Sequence, residues 1–423
     1  MFSANVHCPI NILIHNYMIK WLPKIGPGTL VTAAFIGPGT VTVCTMAGVQ
    51  FGFTLLWALV LSIVACVVLQ EMSARLGLVT QQGLSEVVKS QFANKAIRWI
   101  LIALMLSAIF IGNAAYEAGN ISGGVLGVST IIGSPTIQIG SIPLNYVSVL
   151  IGIVAFLLLY IGNYKILERS LIVLVLFMSL AFIIAAMVTK PDISLLVKGF
   201  IPDLSSDKIL TIVGLIGTTV VPYNLFLHAS IVSEKWNSKD DLPAVRRDTV
   251  VAIVLGGLVS MAIIVAGAAI QQSEINNAAD LAKGLEPVFG SMAKYVLSLG
   301  LFAAGITSAI TAPLAAAYVV KGCLGWEDGL KSKRFRMVWM FILFLGVLFS
   351  SFGIKSIVII QFAQVANGVL LPIVAIFLLW VMNQKKLLGN YTNSKLQNIV
   401  GVLIVFVTCF LGFRGIWKVL ISL

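Results

Sequence analysis

The stretch "FIGPGTVTV", Phe35 to Val43, lies inside an apolar run long enough to cross a membrane, yet Gly37, Pro38, Gly39 and Thr40 stand at its middle. Proline removes a backbone donor and glycine loosens the helix, so this run frees amides and carbonyls at a depth where hydrocarbon offers no partner. Such a break persists only where it lines a cavity inside protein. One proline alone reads as a kink. A second interruption changes the reading: "GTTVVPYNLFLHAS", Gly217 to Ser230, puts Pro222 at the centre of another apolar run, followed by Tyr223, Asn224 and His228.

The chain around these two stretches is 59% hydrophobic and 10% charged over 423 residues, the composition of a polytopic all-α membrane protein. Apolar runs of about 20 residues, enough to span the hydrocarbon core, recur eleven times. They lie near 28–48, 51–72, 97–121, 145–161, 167–188, 209–232, 248–270, 294–320, 335–352, 355–381 and 398–420. The first and sixth open two five-span halves, residues 28–188 and 209–381, with 398–420 appended and 1–27 as an amino-terminal segment. Interruptions at corresponding places in two halves point to a transporter of inverted repeats, with substrate held where the breaks meet.

Orientation follows from the basic residues, which gather on the cytoplasmic side. With the amino terminus inside, 20 of the 28 Lys and Arg fall in inner segments, while the outer loop Gly123–Leu144 has none. Eleven spans then leave the carboxyl terminus outside, and the plasma (inner) membrane is the expected location. The net charge of +12 reflects this topology and contact with anionic lipid head groups; it gives no case for nucleic acid. Cys8, Cys44, Cys66, Cys323 and Cys409 show neither metal-site nor disulfide spacing. Met18 directly precedes the first well-patterned segment and is an alternative start, which would remove His7 and His15.

Four stretches carry a family resemblance: "AAFIGPGTV" in span 1, "LQEMSARLGLVT" (Leu69 to Thr80) after span 2, "VPYNLFLHAS" in span 6 and "AQVANGVLLP" (Ala363 to Pro372) in span 10. Together they resemble the Nramp family of divalent-metal transporters over nearly the full chain. The resemblance implies a LeuT-like fold of five plus five inverted helices, with helices 1 and 6 broken at mid-membrane. It also implies import of manganese- or iron-type ions as substrate, usually by proton symport, with no resident cofactor. The chain departs from the family where the chemistry sits. The family's Asp-Pro-Gly-Asn becomes Gly37, Pro38, Gly39 and Thr40, and its Met-Pro-His-Asn becomes Val221, Pro222, Tyr223 and Asn224. The anionic ligand and the soft thioether that favours transition metals are both replaced. In span 3 the family's Asp and Glu fall on Ala114 and Glu117, while His228 and Gln364 match.

The substrate set is therefore Gly37, Thr40, Thr219, Val221, Tyr223, Asn224 and Gln364, with Pro38, Gly39 and Pro222 making the breaks and Glu117 and His228 serving coupling and pathway. Carbonyls freed around Ile36 and Thr219 add neutral oxygens, and hard cations that keep their waters suit such donors. With Ala114 in place of a carboxylate, proton coupling is expected to be weakened. Gly37 is a place where a left-handed backbone is expected, strained for any other residue.

Each residue also has a plain structural role. Thr40 can satisfy the carbonyl one turn back, Asn224 can bridge groups freed by Pro222, and Gln364 and Asn367 can join helices by hydrogen bonds. Glu71 and Glu168 read as interfacial ion pairs with Arg75 and Arg169. Half-helix amino termini favour anionic groups, so transport of an amino acid or similar organic solute is the alternative. A channel is a third reading, which single-channel currents would decide. The chain has no phosphate loop, no zinc-protease motif and no serine elbow, which argues against an enzyme.

Overall fold

The computed structural model describes residues 36–422, apart from 92–93, 134, 141, 163–164, 272–274, 327–328 and 330. The segment 1–27, the first part of span 1, Cys8 and both leader histidines lie outside the described residues, as does the side chain of Glu168. Among the described residues, nine helices are long and apolar enough to cross a membrane. Two more complete the expected eleven: α1 (Pro38–Phe51), the second half of span 1, and α5 (Tyr146–Ile161), a shorter apolar helix.

In chain order α1 is followed by α2 (Leu56–Thr80), a short α3 (Leu84–Gln91) and the long α4 (Lys95–Ile132). A hairpin of β1 (Thr136–Ile139) and β2 (Ile142–Asn145), with Thr136 opposite Asn145, leads into α5. The Asn145 side chain accepts from the amides of Val147 and Ser148 at 3.1 Å each, capping that helix. Next come α6 (Lys165–Val188), a short α7 (Ile193–Lys198), and the halves of span 6, α8 (Ile209–Thr219) and α9 (Pro222–Lys235). Then come α10 (Leu242–Ala268), short α11 (Ala278–Ala282) and α12 (Glu286–Phe289), followed by α13 (Ala293–Leu324), α14 (Lys333–Ser351) and α15 (Ser356–Val381). A single turn, α16 (Lys385–Leu388), precedes α17 (Lys395–Ser422).

One boundary departs from the sequence expectation. Span 3 does not end at residue 121: α4 runs to Ile132, so the first part of the supposed loop Gly123–Leu144 is helical and the rest forms the hairpin. The extension is held by close packing on glycines. A Cβ on Gly123 would stand 2.1 Å from Pro38 Cβ, and one on Gly127 would stand 2.5 Å from the Ser298 carbonyl of α13. Small residues let helix backbones meet where no hydrophobic force separates protein from lipid.

The helices around the breaks pack in two groups. Helix α2 lies along α8, α9 and α10, while α4 lies along α13, α14 and α15; α1 touches both groups. Leu, Ile and Phe cover the outer faces, as on the exposed Phe406, Phe413 and Trp417 of α17, the surface expected where lipid is the solvent.

Candidate functional site

Gly37 is extended (φ −103°, ψ −176°) and Pro38 occupies the first turn of α1, where its missing N–H is harmless. The expectation of a left-handed Gly37 is therefore corrected: any residue adopts this backbone. The tight place is Gly39 instead: a Cβ there would stand 2.3 Å from Gln364 Nε2, so the Gln364 side chain would have to move. The second break has the same construction. Helix α8 ends at Thr219, Val220 leaves the helical conformation, Val221 is extended, and Pro222 starts α9. Neither α1 nor α9 has a side chain capping its amino terminus, so two amide-rich helix ends border the site.

Three contacts bring the breaks together. Thr40 Oγ1 and Thr218 Oγ1 are 2.9 Å apart, linking α1 to α8. The side chain of Gln364, on α15, lies over Gly39. The backbone of Gln364 passes so close to Gly217 that a Cβ there would stand 1.9 Å from its carbonyl. Thr40, Thr219, Val221, Tyr223, Asn224 and Gln364 are all buried. Asn224 Oδ1 and Gln364 Oε1 have no hydrogen-bond partner among the described residues, and neither does Asn367 Nδ2. The bridging role expected of these amides is thus unfilled at those atoms, leaving buried polar groups that a bound ligand or water would satisfy.

The other groups divide. Thr219 Oγ1 donates to the Leu215 carbonyl at 2.9 Å, and the Thr219 carbonyl accepts the Cys66 thiol at 3.4 Å. Its side chain therefore has the plain helical role, and its carbonyl is partly engaged from behind. Tyr223 packs edge-on against Tyr116 of α4, ring centroids 5.3 Å apart, filling space at the start of α9.

Glu117 is fully buried but does not share the break directly. Its stem presses on Gly346 of α14, where a Cβ would stand 2.3 Å from Glu117 Cγ, and Oε2 accepts from Asn120 Nδ2 at 3.4 Å. Its Oε1 has no partner among the described residues. His228 Nδ1 is 2.7 Å from Gln70 Oε1, and an amide oxygen can only accept, so Nδ1 carries the proton and Nε2 is left as a free acceptor. Among the described residues no three His, Cys, Asp or Glu side chains cluster in a metal-binding group.

Sequence reasoning missed Thr218, Cys66, Gln70 and Tyr116. Gln70 stands inside the quoted stretch from Leu69 to Thr80, and Cys66 lies one turn before it. With Ser73 and Gly77 they form a single face of α2. Ser73 Oγ donates to the Leu225 carbonyl, and Gly77 admits the Ala229 carbonyl at a distance no Cβ would allow. That face was legible as a pattern; what it touched was not. Glu71 forms the expected ion pair with Arg75 at 3.0 Å and a second with Arg246 at 2.8 Å.

Residues 28–418 match the profile of the natural resistance-associated macrophage protein-like family, Nramp. Among similar curated proteins, a divalent metal cation transporter MntH of Yersinia enterocolitica is 30% identical over 396 residues, spanning 91% of this chain and 92% of that protein. An MntH of Caldanaerobacter subterraneus is 27% identical over 407 residues, spanning 93% and 92%. Among solved structures, a manganese transporter of Eremococcus coleocola has a TM-score of 0.72 at 21% identity, over 94% of this chain and 87% of that one. MhsT in complex with L-phenylalanine has a TM-score of 0.61 at 15% identity, over 94% and 99%. These structural likenesses show the fold, and the profile spans all but the ends of the sequence: the chain belongs to the Nramp family.

Proposed function

We propose that this protein is a secondary-active transporter that moves divalent cations by alternating access, binding them between the two breaks. The observation that carries the reading is the apposition of α1, α8 and α15 at Thr40, Thr218 and Gln364, in a chain of this family. The binding set is Gly37, Thr40, Thr219, Val221, Tyr223, Asn224 and Gln364, in which Asn224 Oδ1, Gln364 Oε1 and the Tyr223 hydroxyl are buried side-chain oxygens without a hydrogen-bond partner among the described residues. Glu117 and His228 serve the pathway. The amino terminus is cytoplasmic, the carboxyl terminus is outside, and the location is the plasma membrane.

The physics of the site constrains the ion's form. Stripping a dication of water in a buried site costs far more than neutral oxygens return. No carboxylate stands at the breaks, and two positive helix ends border them. A cation that retains part of its hydration shell meets this difficulty, because waters supply the ligands and the protein supplies acceptors to the waters. Hard ions such as magnesium and manganese fit better than ions that demand sulfur.

The uncapped ends of α1 and α9 also favour an anionic group, which supports the second reading, an amino acid carried by its carboxylate. Purified protein in liposomes, offered manganese, magnesium, calcium and a panel of amino acids, distinguishes the two. Uptake of divalent ions without amino-acid uptake is the expected result; the reverse overturns the proposal.

A further inference from the structure

A groove of about 680 Å³ opens on the outer face of the protein, away from the breaks, between α2, residues 200–204 and α17. Trp57 and Val64 of α2, Phe200 and Leu204 of the connection, and Phe406 and Phe410 of α17 are among its walls, and every lining residue is apolar. Both bounding helices are membrane spans, so the groove opens onto lipid. A lipid-facing surface is apolar by default, and the groove alone names no occupant.

Charge at one end of it does. Arg414 stands one helical turn beyond Phe410 and Lys418 one turn beyond Arg414, on the same face of α17. The Arg414 guanidinium lies 5.9 Å from the Phe410 ring centroid and donates to the Leu204 carbonyl at 3.4 Å, so it touches two walls of the groove. The Lys418 ammonium donates to the Ser206 carbonyl just beyond. Among the described residues neither cation forms an ion pair with a carboxylate. The neighbouring Lys208, by contrast, is neutralised by Asp203. Along α17 the order is apolar wall, then two unneutralised cations, over a helical rise of about 18 Å from Phe406 to Lys418. Trp417 is exposed beside them, the usual aromatic at a membrane interface.

We propose that this groove is a binding site for one anionic phospholipid, its acyl chain against Trp57, Val64 and Phe406 and its phosphate against Arg414 and Lys418. The charge pattern matches an amphiphile in polarity and in length. Basic residues at the membrane surface attract anionic lipid additively. An acyl chain laid across α2 and α17 would bridge the helix group that carries the second break to the appended span.

The test uses the full-length protein in detergent, titrated with dioleoyl phosphatidylglycerol, dioleoyl phosphatidylcholine or inorganic phosphate, with bound lipid counted by native mass spectrometry and stability followed by thermal unfolding. One tightly retained phosphatidylglycerol with a raised melting temperature is expected, with neither effect from phosphatidylcholine or phosphate. Arg414→Gln with Lys418→Gln should weaken that retention about thirtyfold, as two lost surface charges imply. Val64→Trp, which fills the groove and leaves the cations in place, should weaken it as well and serves if the double variant folds poorly. Equal retention of both lipids, or retention unchanged in Val64→Trp, overturns the proposal. So does a dimer that dissociates on either substitution, which would make a second copy the occupant.

Discussion

Thr40 and Thr218, 178 positions apart in the chain, place their hydroxyl oxygens 2.9 Å from each other where the two interrupted spans meet. The two hydroxyls meet in a buried hydrogen bond, so replacing either one withdraws that partner from the other. Thr40→Val or Thr218→Val alone should therefore cost about 1–3 kcal/mol, and the double variant distinctly less than the sum. A thermal double-mutant cycle in detergent reads the coupling. Additive losses would mean that the pair does not hold the breaks together.

Restoring the family's side chains should restore manganese recognition. Gly37→Asp with Thr40→Asn and Val221→Met places a carboxylate, an amide and a thioether at the breaks, combining hard and soft donors. The extended Gly37 accepts Asp without backbone strain. Calorimetry should show a gain in manganese affinity in the triple variant. A folded triple variant with no manganese binding would mean that these breaks do not form a metal site.

Selectivity of the unaltered chain should be weak among hard dications. With no thioether and no carboxylate at the breaks, nothing rewards manganese over magnesium by more than their hydration differs. Competition uptake in liposomes should give manganese-to-magnesium ratios within about tenfold. Micromolar manganese transport that excludes magnesium and calcium would contradict this.

Glu117 presses on Gly346 and engages Asn120, and Ala114 stands where the family resemblance implies the other carboxylate of the pair. Uptake should depend little on an imposed pH gradient, and Glu117→Gln should retain most of it. A stoichiometric proton current abolished by that substitution would reverse the conclusion.

Outside the membrane spans, the ion pair with Lys208, aided by the Ser205 amide at 3.0 Å, holds the Asp203 carboxyl down at about 2. A depressed carboxylate stabilises the fold fully above its ordinary value of 3.8 and ceases to as pH falls through about 2. The group is exposed, so the effect on stability is small. A carboxyl carbon chemical-shift titration is the direct measure. Lys208→Gln should move the Asp203 midpoint upward; an unmoved midpoint would show that the lysine is not the cause.

The architecture was legible because it is written in run length and in paired prolines. Eleven runs, with Pro38 and Pro222 at matching places, define an interrupted two-part bundle from hydrophobicity alone. What escaped was whatever depends on neighbours remote in sequence. Nothing local distinguishes Gly39, over which the Gln364 side chain lies, from Gly37, whose extended backbone any residue adopts. Thr218 and Thr219 look alike in sequence, yet one hydroxyl reaches across to α1 and the other turns back on its own helix. The hairpin at 136–145 was hidden because a charge-free, apolar connection gives no sign of where helix ends and strand begins.

The face of α2 formed by Cys66, Gln70, Ser73 and Gly77 engages span 6 on both sides of its interruption, at Thr219 above and at Leu225, His228 and Ala229 below. An unpaired pair of half-helices would pivot at Val220 and Val221. Fastened on both sides of its interruption to an unbroken neighbour, span 6 has its bend splinted by α2. Against α4, by contrast, the start of α9 meets ring edges, Tyr223 on Tyr116, a contact that can be exchanged without breaking a backbone hydrogen bond.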